Sequence, residues 1–182
     1  MALPEPAQRE LIHERHVHCH GYRRADGLWD IEGHLTDTKT YDFENQDRGT
    51  VEAGTPVHDM WIRLTIDDRF LVRDVIAVTD RGPFRVCADI TPNFQRLKGL
   101  KIGPGWSRNV RRLLGGTEGC THLVELLGPM ATTAFQTIFP LRQREAESKR
   151  TPGRKPRLLN TCHVFKSDGE TVRKHWPEFY TG

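Results

Sequence analysis

Long apolar runs are missing from this chain: nothing in its 182 residues approaches the roughly 18 uncharged apolar positions that a membrane span requires. The segment Met1 to Glu14 lacks the apolar stretch of an export signal. Cysteine is scarce too, with only Cys19, Cys87, Cys120 and Cys162, and they are scattered. These shortages argue against a membrane protein and a disulfide framework, and lead us to expect reduced thiols and a cytoplasmic location. Signature motifs are also wanting. With no phosphate-cradling glycine loop, Rossmann fingerprint or G-x-S-x-G elbow, nucleotide-dependent and serine-hydrolase chemistries fall away.

The composition is polar, with 36% apolar and 28% charged residues, yet the apolar residues fall in periodic runs able to bury a core. The net charge of +3 is local: residues 141–157 carry seven Lys/Arg against two Glu, which leaves the remainder slightly acidic. A nucleic-acid binder shows a basic face interleaved with aromatics across its core, and that pattern is lacking, so no nucleic-acid partner is expected. The length fits one domain, 1–182, with a core at 10–140, a basic linker at 141–157 and a closing hairpin at 158–177.

LWDIEGHL (28–35) alternates with the period of a half-buried strand, Trp29, Ile31 and Gly33 facing inward. WIRLTI (61–66) and FLVRDVIAVT (70–79) flank Asp67-Asp68-Arg69 as a hairpin, and PFRVCADI (83–90) reads as a further strand. A short helix is expected at Thr91–Leu97, then a Gly/Pro-rich loop at 99–106. In residues 121–139, Leu123, Leu126, Leu127, Met130, Ala134, Phe135 and Ile138 form one helical stripe, which Pro129 should kink or split. LLNTCHVF (158–165) and ETVRKHW (170–176) suggest the closing hairpin. The fold class is α+β: an antiparallel sheet of about five or six strands with the kinked helix on one face.

Three groups of residues can carry chemistry. His13, His16, His18, Cys19 and His20 are rich in ligand atoms, but their spacing matches no zinc signature. Residues 26–42 hold Asp26, Asp30, Glu32, His34, Asp37, Lys39 and Tyr41. Asp30, Glu32 and His34 project from one side of a strand, either as an ordinary solvated face or as proton-transfer groups aided by Lys39 and Tyr41. The third group is His58-Asp59, Cys87 and Cys120-Thr121-His122. Cys120 directly precedes the main helix, where unpaired N–H groups and the helix dipole favour an anionic sulfur. His58, Asp59, Cys87, Cys120 and His122 form an N/O/S set of the kind that zinc or iron prefers, with buried inert cysteines as the alternative, and His58 and Asp59 could equally serve as acid/base groups.

The strings DGLWDIEG, DTK, GTPVHDMWIRLTID and above all GGTEGCTHLVELL followed by AFQT resemble a bacterial family known only as a domain of unknown function, number 2889, over about residues 10–140. That resemblance implies no activity. The layout from Gly54 to Ile138 also resembles the NifU-like scaffold proteins of iron–sulfur assembly, in which three cysteines and an aspartate line the cluster. By position, Cys87 and Cys120 would be two of those cysteines and Asp59 the aspartate, with His58 at the remaining cysteine position.

The resulting expectation is a small-molecule enzyme of lyase or isomerase type using general acid/base residues, with zinc or iron as an accessory and the carboxylate-rich strand supplying the base. A non-enzymatic metal or iron–sulfur carrier is the rival. An interaction module acting through the basic linker comes third. The partner is a small-molecule substrate, with a homo-oligomer left open.

Overall fold

The computed structural model describes residues 3–147, 155–156 and 158–182, without the side chains of 143–147. It divides into two compact units, Met1–Pro140 and Leu141–Gly182.

In the first unit, β1 (His13–Arg23), β2 (Trp29–Lys39), β5 (His58–Ile66) and β6 (Val72–Arg81) make an antiparallel sheet in the order β1-β2-β5-β6. β3 (Phe43–Asn45) and β4 (Gly49–Val51) pair separately as a two-stranded ribbon. The main sheet thus has four strands where about five or six were expected, and the separate ribbon is formed by segments not read as strands from the sequence. The alternation read from 28–35 holds: Trp29, Ile31 and Leu35 are buried, with Met60, Ile62, Leu64 and Ile66 on the same face of β5. The β5–β6 turn is set by Asp67, whose Oδ1 accepts from the backbone N–H groups of Arg69 (2.8 Å) and Leu71 (2.9 Å).

α1 (Trp106–Leu114) went unanticipated, although Trp106, Val110 and Leu114, all buried, recur at helical spacing. The main helix α2 (Thr121–Glu147) lies on the sheet with Leu123, Leu126, Leu127, Met130, Ala134 and Ile138 buried, as the stripe predicts. Phe135 is partly exposed and stacks on Phe139 instead. The helix runs through Pro129 and Pro140 without being split. Buried leucine and methionine contacts on both sides of Pro129 outweigh its roughly 3 kcal/mol penalty.

Residues 83–90 are not a strand. Phe84 and Val86 are both exposed and offer no face to bury, and Arg85–Ala88 closes a 3-10 turn through Cys87 N–H to Phe84 O (3.1 Å). Thr91–Leu97 is the expected short helix, of 3-10 type.

In the second unit the closing hairpin is likewise replaced. His163–Phe165 is a 3-10 turn and α3 (Glu170–His175) is a short helix, with an acidic first residue and Arg173, Lys174 and His175 near its C-terminus, where the helix dipole favours cations. Of the expected basic linker, residues 141–147 continue α2, while 148–154 and 157 lie outside the described residues.

The helix can approach the sheet because β1 and β2 present glycine to it. A Cβ on Gly33 would stand 2.6 Å from Met130 Sδ, and one on Gly21 would stand 2.0 Å from Thr137 Oγ1. Gly21→Ala should therefore lower stability by about 1–3 kcal/mol, as overpacking does. Thr137→Ala, which removes Oγ1, the nearest clashing atom, together with Cγ2 but keeps Cβ, should restore part of that loss. Urea unfolding of the two single variants and the double variant measures this coupling, and strictly additive losses would refute the close approach.

Candidate proton-transfer site

The alternation that buries Trp29, Ile31, Gly33 and Leu35 continues one step further, to Asp37, which is 1% exposed. A carboxylate at a core position must be compensated, and here both oxygens are. Oδ1 accepts from His13 Nε2 (3.0 Å) and Arg15 Nε (2.7 Å). Oδ2 accepts from Arg15 Nη2 (2.8 Å) and His58 Nδ1 (3.0 Å). Arg15 reaches onward to Glu125 on α2 (Nη1–Oε2 2.7 Å). His122, at the start of α2, sets its ring 3.7 Å from that of His58. Cys120 Sγ lies 3.9 Å from His122 Nδ1.

The charge states follow from these contacts. Burial pushes the Asp37 carboxyl up, but the Arg15 guanidinium, joined by His13 and His58, overrides it and holds the group below the usual carboxylate range. The same pairing raises Arg15. His58 is pushed down by burial and then by the neighbouring His122, against the pull of Asp37. His122 is also lowered, first by burial and then by Arg15. An ionised Asp37 can only accept hydrogen bonds, so His58 must carry its proton on Nδ1, leaving the Nε2 lone pair free.

Among the described residues, Asp37, His58 and His122 are the one group of three donor side chains close enough to share an ion, their ligand atoms lying within 4.8 Å of one another. Yet the four hydrogen bonds on Asp37 occupy the lone-pair sites a carboxylate offers. It is better placed to orient His58 than to ligate a metal.

The remaining sequence-predicted residues are arranged differently. Strand parity sends His58 toward α2 and Asp59 to the opposite face, where Asp59 Oδ1 meets His34 Nε2 at 2.7 Å. His34 also stacks on Trp61 with ring centres 3.6 Å apart. Asp30 accepts from Thr65 Oγ1 (2.7 Å) and Arg24 Nη1 (3.3 Å), and Glu32 from Arg63 Nε (2.8 Å). Lys39 Nζ donates to Tyr41 Oη (2.8 Å). Asp30, Glu32 and His34 do lie on one side of β2, as expected, but each of these groups, like Lys39 and Tyr41, is spent on a nearby partner. Cys87 sits in the 3-10 turn against Gly82, and neither it nor Cys120 belongs to the close donor group. His16, His18 and His20 lie on the exposed face of β1, on the side of His34. Asp37 and His13 were singled out only as members of larger groups, without a role at this site, and Arg15 not at all, although a charged residue on the apolar phase of a strand was the available signal.

Depressed imidazoles make an acid-sensitive fold. Below the ordinary value of 6.5 the unfolded chain binds protons that His58 and His122 refuse in the folded state, so stability falls as the pH falls. Asp37 adds a further loss at lower pH, as its own depressed titration is crossed. The melting temperature should therefore drop from about pH 7 to about pH 5, and His58→Gln combined with His122→Gln should flatten that limb. An unchanged slope in the double variant would contradict the assignment.

No curated protein and no solved structure matches the chain. The family described as Protein of unknown function (DUF2889) matches residues 13–136, a segment that begins at His13 and takes in Arg15, Asp37, His58, His122 and Glu125. The match covers more than half of the sequence, and the chain belongs to that family.

Proposed function

We propose that this protein is a small-molecule enzyme of lyase or isomerase type in which His58 is the general base. The observation that supports this reading is the pairing of a buried, ionised Asp37 with Nδ1 of an imidazole that burial keeps neutral. A base so held has a fixed tautomer and a lone pair available near neutral pH. His58 Nε2 would take a proton from carbon beside an electron-withdrawing group. The electron pair left behind would either move to a neighbouring leaving group or accept a proton again at another position. His58 itself would return the proton it took, and His122, its ring tilted 32° against that of His58, makes a charged His58 short-lived by disfavouring the imidazolium. Asp30 and Glu32 are less suited than the strand pattern suggests, because each is already engaged by an arginine.

The metal or iron–sulfur carrier, including the NifU-like version, draws its support from the closeness of Asp37, His58 and His122. An ion there would have to displace a hydrogen bond from Asp37 Oδ2. A carrier should purify from zinc- and iron-supplemented medium with near-stoichiometric metal that is lost in His58→Gln, and metal analysis separates the two readings.

The direct test is proton exchange. A panel of carbon acids (2-oxo, 2-hydroxy and 3-hydroxy acids) incubated with the protein in D2O should include members whose carbon-bound proton is exchanged or eliminated, read by NMR. His58→Gln should slow that reaction by roughly 10²–10⁴-fold. The rate should persist below pH 6.5, since the base stays deprotonated there. Undiminished turnover in His58→Gln, or inactivity toward the whole panel, would count against the proposal.

A further inference from the structure

Away from the histidine pair, two adjoining hollows of about 360 and 220 Å³ share Arg48 and Arg81 as walls. The larger is bounded by the β3–β4 ribbon and also contains Glu52. The smaller adds Thr79, Asp80 and Arg85. Three arginines and two acidic residues thus line the hollows, and among the described residues none of the five forms an ion pair with another. Side chains of this kind on a convex surface would be unremarkable, because water satisfies them. Their convergence on a concavity is a different matter.

Two of the three arginines are positioned by the backbone around them. Asn45 Oδ1 accepts from the N–H groups of Asp47 (3.0 Å) and Arg48 (3.1 Å), fixing the turn that presents Arg48. Arg48 Nη1 then donates to the Pro56 carbonyl (2.9 Å), which leaves its other donors unassigned. The Arg85 backbone N–H is held by Asp47 Oδ2 (2.8 Å), so the 3-10 turn and the ribbon are tied together across the hollow. Neither Arg81 nor Arg85 has a side-chain partner among the described residues.

A second, independent observation comes from Thr79 in the wall of the smaller hollow. Its Oγ1 is the one buried side-chain polar atom lacking a hydrogen-bond partner among the described residues. An orphaned hydroxyl is costly, and because Oγ1 is shielded from solvent, a ligand in the hollow would satisfy it only after rotation about χ1 turned it into the hollow. Arginine forks match the planar carboxylate and the tetrahedral phosphate alike.

We infer that these hollows form a binding site for a small oxyanion-bearing molecule, held through its carboxylate or phosphate by Arg48, Arg81 and Arg85. The site does not depend on the proton-transfer reading of His58.

Titration of the full chain with inorganic phosphate and with malonate, against chloride at matched ionic strength, tests the inference by amide chemical shifts. At least one of the two oxyanions should give saturable shifts centred on Thr79, Arg81 and Arg85, and whichever binds more tightly identifies the headgroup. Arg81→Gln and Arg85→Gln should each weaken binding by about tenfold with the melting temperature preserved, since their side chains have no partner to lose. Thr79→Val should raise the melting temperature without anion and diminish the anion's effect. His58→Gln should leave binding intact. Equal shifts with chloride, or undiminished binding in the Arg81→Gln/Arg85→Gln double variant, would overturn the site.

Discussion

The bidentate pairing of Arg15 with Asp37 is the interaction on which the rest of the first unit turns. A carboxylate at 1% exposure is tolerable only with a full set of donors, and those donors come from the two strands that flank its own. His13 and Arg15 belong to β1, Asp37 to β2 and His58 to β5, while Glu125 draws α2 into the same network through Arg15. The contact matters most for β1. Ten of its eleven residues are exposed, so apolar burial contributes little to holding this edge strand in register, and charged hydrogen bonds with the glycine-lined approach of α2 do more.

The same contacts that anchor the edge also set the chemistry of His58. A carboxylate kept ionised by arginine accepts from Nδ1 and thereby exposes Nε2 as a lone pair. Burial keeps that imidazole neutral, and His122 beside it makes a second charge unwelcome. Structure and reactivity are therefore coupled through one group: loosening Asp37 would weaken both the strand register and the tautomer. The arginine-lined hollows have a different origin, in the ribbon turn fixed by Asn45, and meet this network only through the backbone, where Arg48 binds the Pro56 and Val57 carbonyls just before His58.

Strand parity was the most legible part of the sequence. Period-two alternation placed Trp29 and Ile31 inward and Asp30, Glu32 and His34 outward, and the structure agrees. Carried two residues past Leu35, it also places Asp37 inside, and counted back from Met60 it separates His58 from Asp59. Those steps were hidden because a charged residue on an apolar phase looks like the end of a strand. Residues 83–90 and 158–176 misled for the converse reason: their β-branched and aromatic residues suggest strands, but local 3-10 and helical hydrogen bonds satisfy the backbone without a sheet partner. Cys87 drew attention by its chemistry alone, and no periodicity could say which face or neighbour it would meet. The contacts of Arg15, 22 residues from Asp37 and 110 from Glu125, depend on tertiary pairing that local pattern does not encode.

The central claim is that an ionised Asp37 fixes the tautomer of a neutral His58. Two-bond 1H–15N correlation spectra of the imidazole rings, recorded across a pH series, report it directly. The predicted result is a His58 ring protonated at Nδ1 alone near neutral pH, titrating below 6.5 and becoming a mixture of tautomers in Asp37→Asn. A His58 protonated at Nε2, or one that titrates above 6.5, would contradict it.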